Sequence, residues 1–192
     1  VKLEGVLLSY DMGGGTFLKH SKKYATKKAN EYGHTGGGKA LVDNFTKTFG
    51  EAFDNNIHHV TDYINEKTIT LADIKMNIIP TSDAFDIEIP EINSIYTHML
   101  GSDCHSIIAG VDYANAMIDI LKGYIEKNYN LILTSHYIPE DIKAVDTKIA
   151  YIETLLNIAS TCNSKDEMIE KVKEEYPNYS GVNYLEMTAG FF

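Results

Sequence analysis

Four side chains in this sequence have the chemical types and the placement to gather a metal ion: His98, Asp103, His105 and His136. Imidazole and carboxylate are the donors that Zn²⁺ or Fe²⁺ accepts. His98 closes one predicted strand. Asp103 and His105 follow it in the loop Gly101-Ser102-Asp103-Cys104-His105, and His136 closes the next predicted strand of the sheet. Strand ends along one edge of an α/β sheet are where sites assemble. The competing reading gives each imidazole a hydrogen bond in a turn or at a helix end, and the sequence leaves both open. The cofactor expectation is correspondingly none, or one zinc or iron ion.

The remaining motifs point less far. Gly13-Gly14-Gly15 follows a strand and precedes a predicted helix, the position of a phosphate cradle. It lacks both the Lys-Ser/Thr of a P-loop and the spacing of a dinucleotide fingerprint. His34-Thr35-Gly36-Gly37-Gly38 has the same character. His58 and His59 are adjacent, and adjacent side chains diverge, so joint ligation is not expected there. Asp83, Asp86 and Glu88 make an acidic strip on a strand that reads as half-exposed, with Asp83 in the turn before it. Asp83 and Asp11 are the candidate general bases. Ser and Cys residues show no nucleophile elbow, and Cys104 beside His105 is no dyad, because dyad partners meet in space and not in sequence. No catalytic motif is intact.

The elements that must position these residues read as an α/β chain. Strands are predicted at 6–10, 68–71, 74–79, 85–89, 94–99 and 131–135. Helices are predicted at 16–32, 40–54, 113–128, 139–160 and 163–175, with an irregular tail. Leu41, Val42, Phe45, Phe49 and Phe53 recur at three- and four-residue spacing, as one helix face requires. Residues 85–89 alternate apolar and acidic, as a strand with one wet face does. With no repeat and no linker, 1–192 reads as one α/β domain, or as the C-terminal part of a longer chain.

Composition narrows the function classes. The net charge is −10, and all 17 basic residues are Lys. A nucleic-acid binder needs a basic face, so that class is excluded, and without Arg no bidentate carboxylate or phosphate clamp exists. No apolar run approaches the ~20 residues of a membrane span. The expectation is a soluble protein, cytoplasmic or secreted after processing. Cys104 and Cys162 read as independent thiols.

The segment from Asp73 to Phe192 resembles the C-terminal half of the metallo-β-lactamase-fold superfamily. Asn77-Ile78-Ile79-Pro80 through Asp83, Phe85-Asp86-Ile87-Glu88-Ile89-Pro90 and Ser94-Ile95-Tyr96-Thr97-His98 look like that family's paired strands. Leu131 to Ser135, closed by His136, looks like its last ligand strand. Tyr176-Pro177-Asn178-Tyr179-Ser180-Gly181 with Tyr184-Leu185-Glu186-Met187 is similar to the tails of some members. The resemblance implies an αββα sandwich, here without the strands that lead into the family's signature.

The departures lie at the ligands. The family's signature is His-x-His-x-Asp-His, straight after a strand. The matching stretch is Tyr10-Asp11-Met12-Gly13-Gly14-Gly15: Tyr10 and Met12 stand for the first two His, Gly14 and Gly15 for the Asp and the last His. Asp83 stands near the missing His of the next loop, and His98 replaces the bridging Asp. Only His136 keeps its expected type. Three imidazoles are what hold Zn²⁺ and bring its bound water's pKa toward ~7. The expectation is a non-catalytic binding or structural module with the metal motif lost. The alternative is a metal-dependent hydrolase with a single relocated metal on His98, Asp103, His105 and His136. Missing leading strands would leave an exposed sheet edge, which implies self-association or a protein partner.

Overall fold

The structure, a computed structural model, describes residues 2–98 and 100–192. The chain divides into two compact units, 1–98 and 99–192.

In the first unit three very short strands pair in parallel: β1 (Val6–Leu7), β2 (Lys23–Ala25) and β3 (Asp62–Tyr63), with Val6 opposite Lys23 and Tyr24 opposite Asp62. β4 (Thr68–Leu71), β5 (Ile74–Pro80), β6 (Phe85–Ile89) and β7 (Ser94–Thr97) form an antiparallel meander. Ala72 and Asp73 take the two positive φ angles, 50° and 62°, between β4 and β5. That is the two-residue turn whose twist matches paired strands. The two sheets share one core, in which Leu8 and Ala25 meet Met76, Ile78, Phe85 and Ile87. Helix α1 (Lys27–His34) adds Ala29 to it, and α2 (Gly37–Phe49) follows.

The second unit carries α3 (Val111–Lys127), β8 (Leu131–Thr134), α4 (Ile142–Ala159), α5 (Lys165–Glu175) and α6 (Val182–Thr188). α3 and α4 pack against each other; the buried side chains include Ile118 and Leu121 of α3 and Val145, Ile152 and Leu155 of α4. Among the described residues no helix is long and apolar enough to cross a membrane.

The pattern of strands from 68 to 97 and the helices α3 and α5 match the sequence reading. Four readings are corrected. The Lys-rich stretch after Thr16 is turn, then β2, and only from Lys27 helix. Thr26 caps that helix by accepting from the Ala29 N–H, while Leu8 N–H bonds Tyr24 O at 2.8 Å, so pairing with β1 overrides local helix propensity. α4 starts at Ile142, not Pro139, because Asp141 caps it and Glu140 pairs with Ile132. The tail holds α6. Asp86 is buried, not on a wet face, since β6 is an inner strand of the meander.

Asp141 accepts from the backbone N–H groups of Lys143 and Ala144. Asp141→Ala should lower unfolding stability by about 1 kcal/mol in urea titration.

Candidate functional site

The residues after β1 form a clamp. Ser9 Oγ donates to Phe85 O, anchoring the strand's exit to β6. Tyr10 bonds Thr81 through its hydroxyl at 3.0 Å, and its ring stacks on His98 with centroids 4.4 Å apart. The next residue, Asp11, uses both carboxylate oxygens on one partner: Oδ2 accepts the His58 backbone N–H at 2.8 Å, and Oδ1 lies 2.9 Å from His58 Nδ1.

Beyond Asp11 the glycine turn packs directly on the segment from Asp54 to His58. Gly14 N–H donates to Asp54 O at 2.8 Å, and Gly15 N–H to Asn56 O at 2.7 Å. The Asp54 carboxylate accepts from the Thr16 hydroxyl and from the Thr16 N–H. These bonds, with those from Asn56, hold the Asp54 carboxyl well below the ordinary carboxylate range, the Thr16 hydroxyl contributing most. A Cβ on Gly13 would lie 2.6 Å from Asp54 O, one on Gly15 2.6 Å from Asn56 O, and one on Gly33 2.7 Å from Asp11 O. Glycine is needed here so that backbones can touch. Because the Gly14 and Gly15 amides are already taken, the turn is not a phosphate cradle.

A second concentration of polar side chains lies inside the second unit. Lys148 is 0% exposed, and its Nζ donates to Cys104 O at 2.7 Å and Ser106 Oγ at 3.0 Å. Both acceptors are neutral, so burial dominates and pushes the ammonium down to about 8, against smaller opposing effects of Cys104, Glu140 and Asp103. His105 is also 0% exposed, with Nδ1 3.0 Å from the Tyr151 hydroxyl. Its Nε2 has no hydrogen-bond partner among the described residues. Burial first, then the charges of Lys148 and Lys173, hold this imidazole below its usual value. The Tyr151 and Tyr179 rings lie 5.7 Å from it, and Tyr176 joins them in a cluster with centroids 4.7 to 5.5 Å apart. Glu140 accepts the Gly101 and Ser102 N–H groups, and Cys104 Sγ meets Tyr137 Oη at 2.8 Å.

The predicted site residues are spread across these features. His98 belongs to the first unit and packs on Tyr10; Asp103, His105 and His136 belong to the second. Asp103 and His136 are exposed, whereas His105 is buried in the tyrosine cluster. Asp83 is exposed and accepts from Ser82 Oγ. His34 bonds Asn30 O within its own helix. Among the described residues no group of three or more His, Cys, Asp and Glu side chains is placed to hold a metal ion. Sequence reasoning missed His58 and Lys148. The apolar stripe of α4 gives a weak sign of Lys148, which sits three residues before Tyr151 and four before Ile152 on the buried face.

No protein-family model matches this chain, and no curated protein matches it. Solved structures do. The S233Y F250G double mutant of the sec-alkyl sulfatase PisA1 superposes with a TM-score of 0.60 at 12% identity, over 98% of this chain and 41% of that one. The stereoselective inverting sec-alkylsulfatase Pisa1 from Pseudomonas sp. gives 0.57 at 12% identity, over 99% and 41%. The shared fold of these neighbours is that of the metallo-β-lactamases. This chain has a metallo-β-lactamase-like fold. It spans about two fifths of the sulfatases' length, 41%. At this strand exit the metallo-β-lactamase-like chain offers Tyr10, Met12, Gly14 and Gly15. None of these is a His or a carboxylate, so these four side chains offer no hard or imidazole donor to a metal ion.

Two predictions test this geometry. Gly15→Ala should destabilise by about 1–3 kcal/mol, because its methyl would meet backbone. Gly123→Ala, in α3 with nothing within 4 Å, should stabilise by about 0.5–1 kcal/mol; equal effects in parallel urea melts would dispose of the clamp. For Lys148, the folded value of about 8 lies below the ordinary 10.5. The stability tied to this group is therefore full above 10.5 and is lost as pH falls through about 8. Between pH 8 and 10 the wild-type chain should gain on the order of 2 kcal/mol relative to Lys148→Met, read from urea midpoints at each pH.

Proposed function

We propose that this metallo-β-lactamase-like chain is a binding or structural module that has lost the family's metal-dependent hydrolysis. The observation that carries the reading is the clamp. Where the family's ligands would stand, backbone packs on backbone, and the carboxylates of Asp11 and Asp54 are committed to holding segment 54–58. A hydroxide-generating metal needs several imidazoles facing one point, and the stretch Tyr10–Gly15 supplies none.

Two surfaces suit a partner. β4 ends the meander's strand order and has Thr70 exposed; a free strand edge is a template for another strand. The second unit has an open polar cleft of about 600 Å³ between α3 and α4, with Asp119, Lys122 and Glu153 along it. We assign self-association, or pairing with a protein partner, to the β4 edge.

Metal analysis by mass spectrometry, on protein purified without chelator or His tag, tests the loss of metal chemistry. The expected result is no stoichiometric Zn or Fe after micromolar Zn²⁺ and desalting. About one equivalent, lost in a His98→Ala/His136→Ala double variant, would overturn this reading in favour of one relocated ion on His98, Asp103, His105 and His136. Light scattering tests the edge: the mass should rise with concentration and fall back in Thr70→Lys, since edge Lys discourages strand pairing.

A further inference from the structure

We propose that His58, oriented by Asp11, is a metal-independent nucleophile that takes acyl groups from small aryl esters at Nε2. This goes beyond the binding reading and does not depend on it.

The tautomer follows from the geometry. An ionised carboxylate only accepts hydrogen bonds. With Asp11 Oδ1 2.9 Å from His58 Nδ1, that nitrogen carries the hydrogen and the neutral ring's lone pair sits on Nε2. The other carboxylate oxygen grips the backbone N–H of the same residue at 2.8 Å, so ring and main chain are fixed by one group. The pair is not sealed: the side chains of His58 and Asp11 are 11% and 10% exposed. A carboxylate holding an imidazole's far N–H is the arrangement that orients a histidine for work at its other nitrogen.

The surroundings define a place for a reactant. A point one bond above Gly14 Cα lies 4.0 Å from His58 Cε1 and 3.8 Å from Phe17 Cδ2. Gly14 has no side chain to fill that space, and its φ of 77° disfavours one. Phe17 is 67% exposed. An acyl group resting on Gly14 would face the imidazole on one side, and an aryl leaving group would lie on the Phe17 ring.

The step balances without a co-reactant other than water. Nε2 donates its lone pair to the acyl carbon, and the bond from that carbon to the aryl oxygen breaks, its electron pair leaving as phenolate. Asp11 offsets the positive charge left on the acylated ring. Water then adds to the acyl carbon, the C–N bond returns its pair to Nε2, and the proton released neutralises the phenolate. The net change is ester plus water to acid plus phenol. The Gly14, Gly15 and Thr16 amides are already bonded, so these amides give no oxyanion hole, which limits the substrates to esters with good leaving groups.

Hydrolysis of p-nitrophenyl acetate by the full chain, in the presence of chelator, is the test. His58→Gln should lower kcat by roughly 100-fold, the low end of what a positioned group of this kind contributes. Asp11→Asn should lower kcat with KM unchanged, and Asp11→Glu should restore part of it. Phe17→Ala should raise KM with kcat unchanged. His20→Ala, an exposed imidazole elsewhere, should match wild type. If His58→Gln, folded by circular dichroism, hydrolyses the ester as fast as His20→Ala, the proposal is overturned. Should His58→Gln not fold, an Asp11→Asn chain with unchanged kcat overturns it equally. Metal content decides the binding reading and this assay decides His58, so the two fail separately.

Discussion

The contact on which the first unit rests is bare backbone against bare backbone. Segments 13–15 and 54–56 approach closely enough that a single methyl would collide with a carbonyl oxygen. Such an approach leaves polar groups needing partners, and they find them in each other: Gly14 N–H in Asp54 O, Gly15 N–H in Asn56 O. Two carboxylates complete the arrangement, Asp54 on Thr16 and Asp11 on His58. Charge-assisted bonds of this kind are about twice as strong as neutral ones. Here the loops are tied by hydrogen bonds, and the strands feeding them can be only two or three residues long.

The second unit solves a related problem with the opposite material. Its 101–106 loop is buried apart from Ser102 and Asp103, and buried backbone must satisfy its carbonyls and amides. Glu140 takes two amides from outside, and Lys148 reaches in to take the Cys104 carbonyl and the Ser106 hydroxyl. A fully buried ammonium on neutral acceptors is costly. It persists because the oxygens it serves would otherwise be stranded, and because the Tyr151 ring face lies 4.8 Å from the charge.

The sequence shows plainly whatever is set within a few residues. The meander from Thr68 to Thr97 is written in apolar runs broken by Ala72-Asp73 and Pro90, and α5 in the Ser164 cap. What the sequence hides depends on distance. β2 and β3 are three and two residues long, too short for any periodicity, and exist because they pair in parallel with distant strands. Asp11 and His58 are 47 residues apart, so reading His58 beside His59 asked about the wrong neighbour. Alternation at 85–89 suggested a wet face for Asp86, but alternation cannot reveal an inner strand whose two faces are both covered. The exposure of Asp103, Asp83 and His136 is set in the same way, by the packing of whole elements.

The tyrosine cluster gives the second unit its own optical label. The chain has 13 Tyr, 7 Phe and no Trp, so its near-ultraviolet signal above the phenyl band comes from phenol rings. Tyr151, Tyr176 and Tyr179 are in mutual ring contact, tied to α4 and to the segment that leads into α6, and Tyr151 is fully buried. Rings this close couple their transitions, and the coupling vanishes when the packing loosens. Near-ultraviolet circular dichroism therefore carries a contribution from this packing in the untouched chain, beside that of the Tyr10–Tyr32 pair in the first unit.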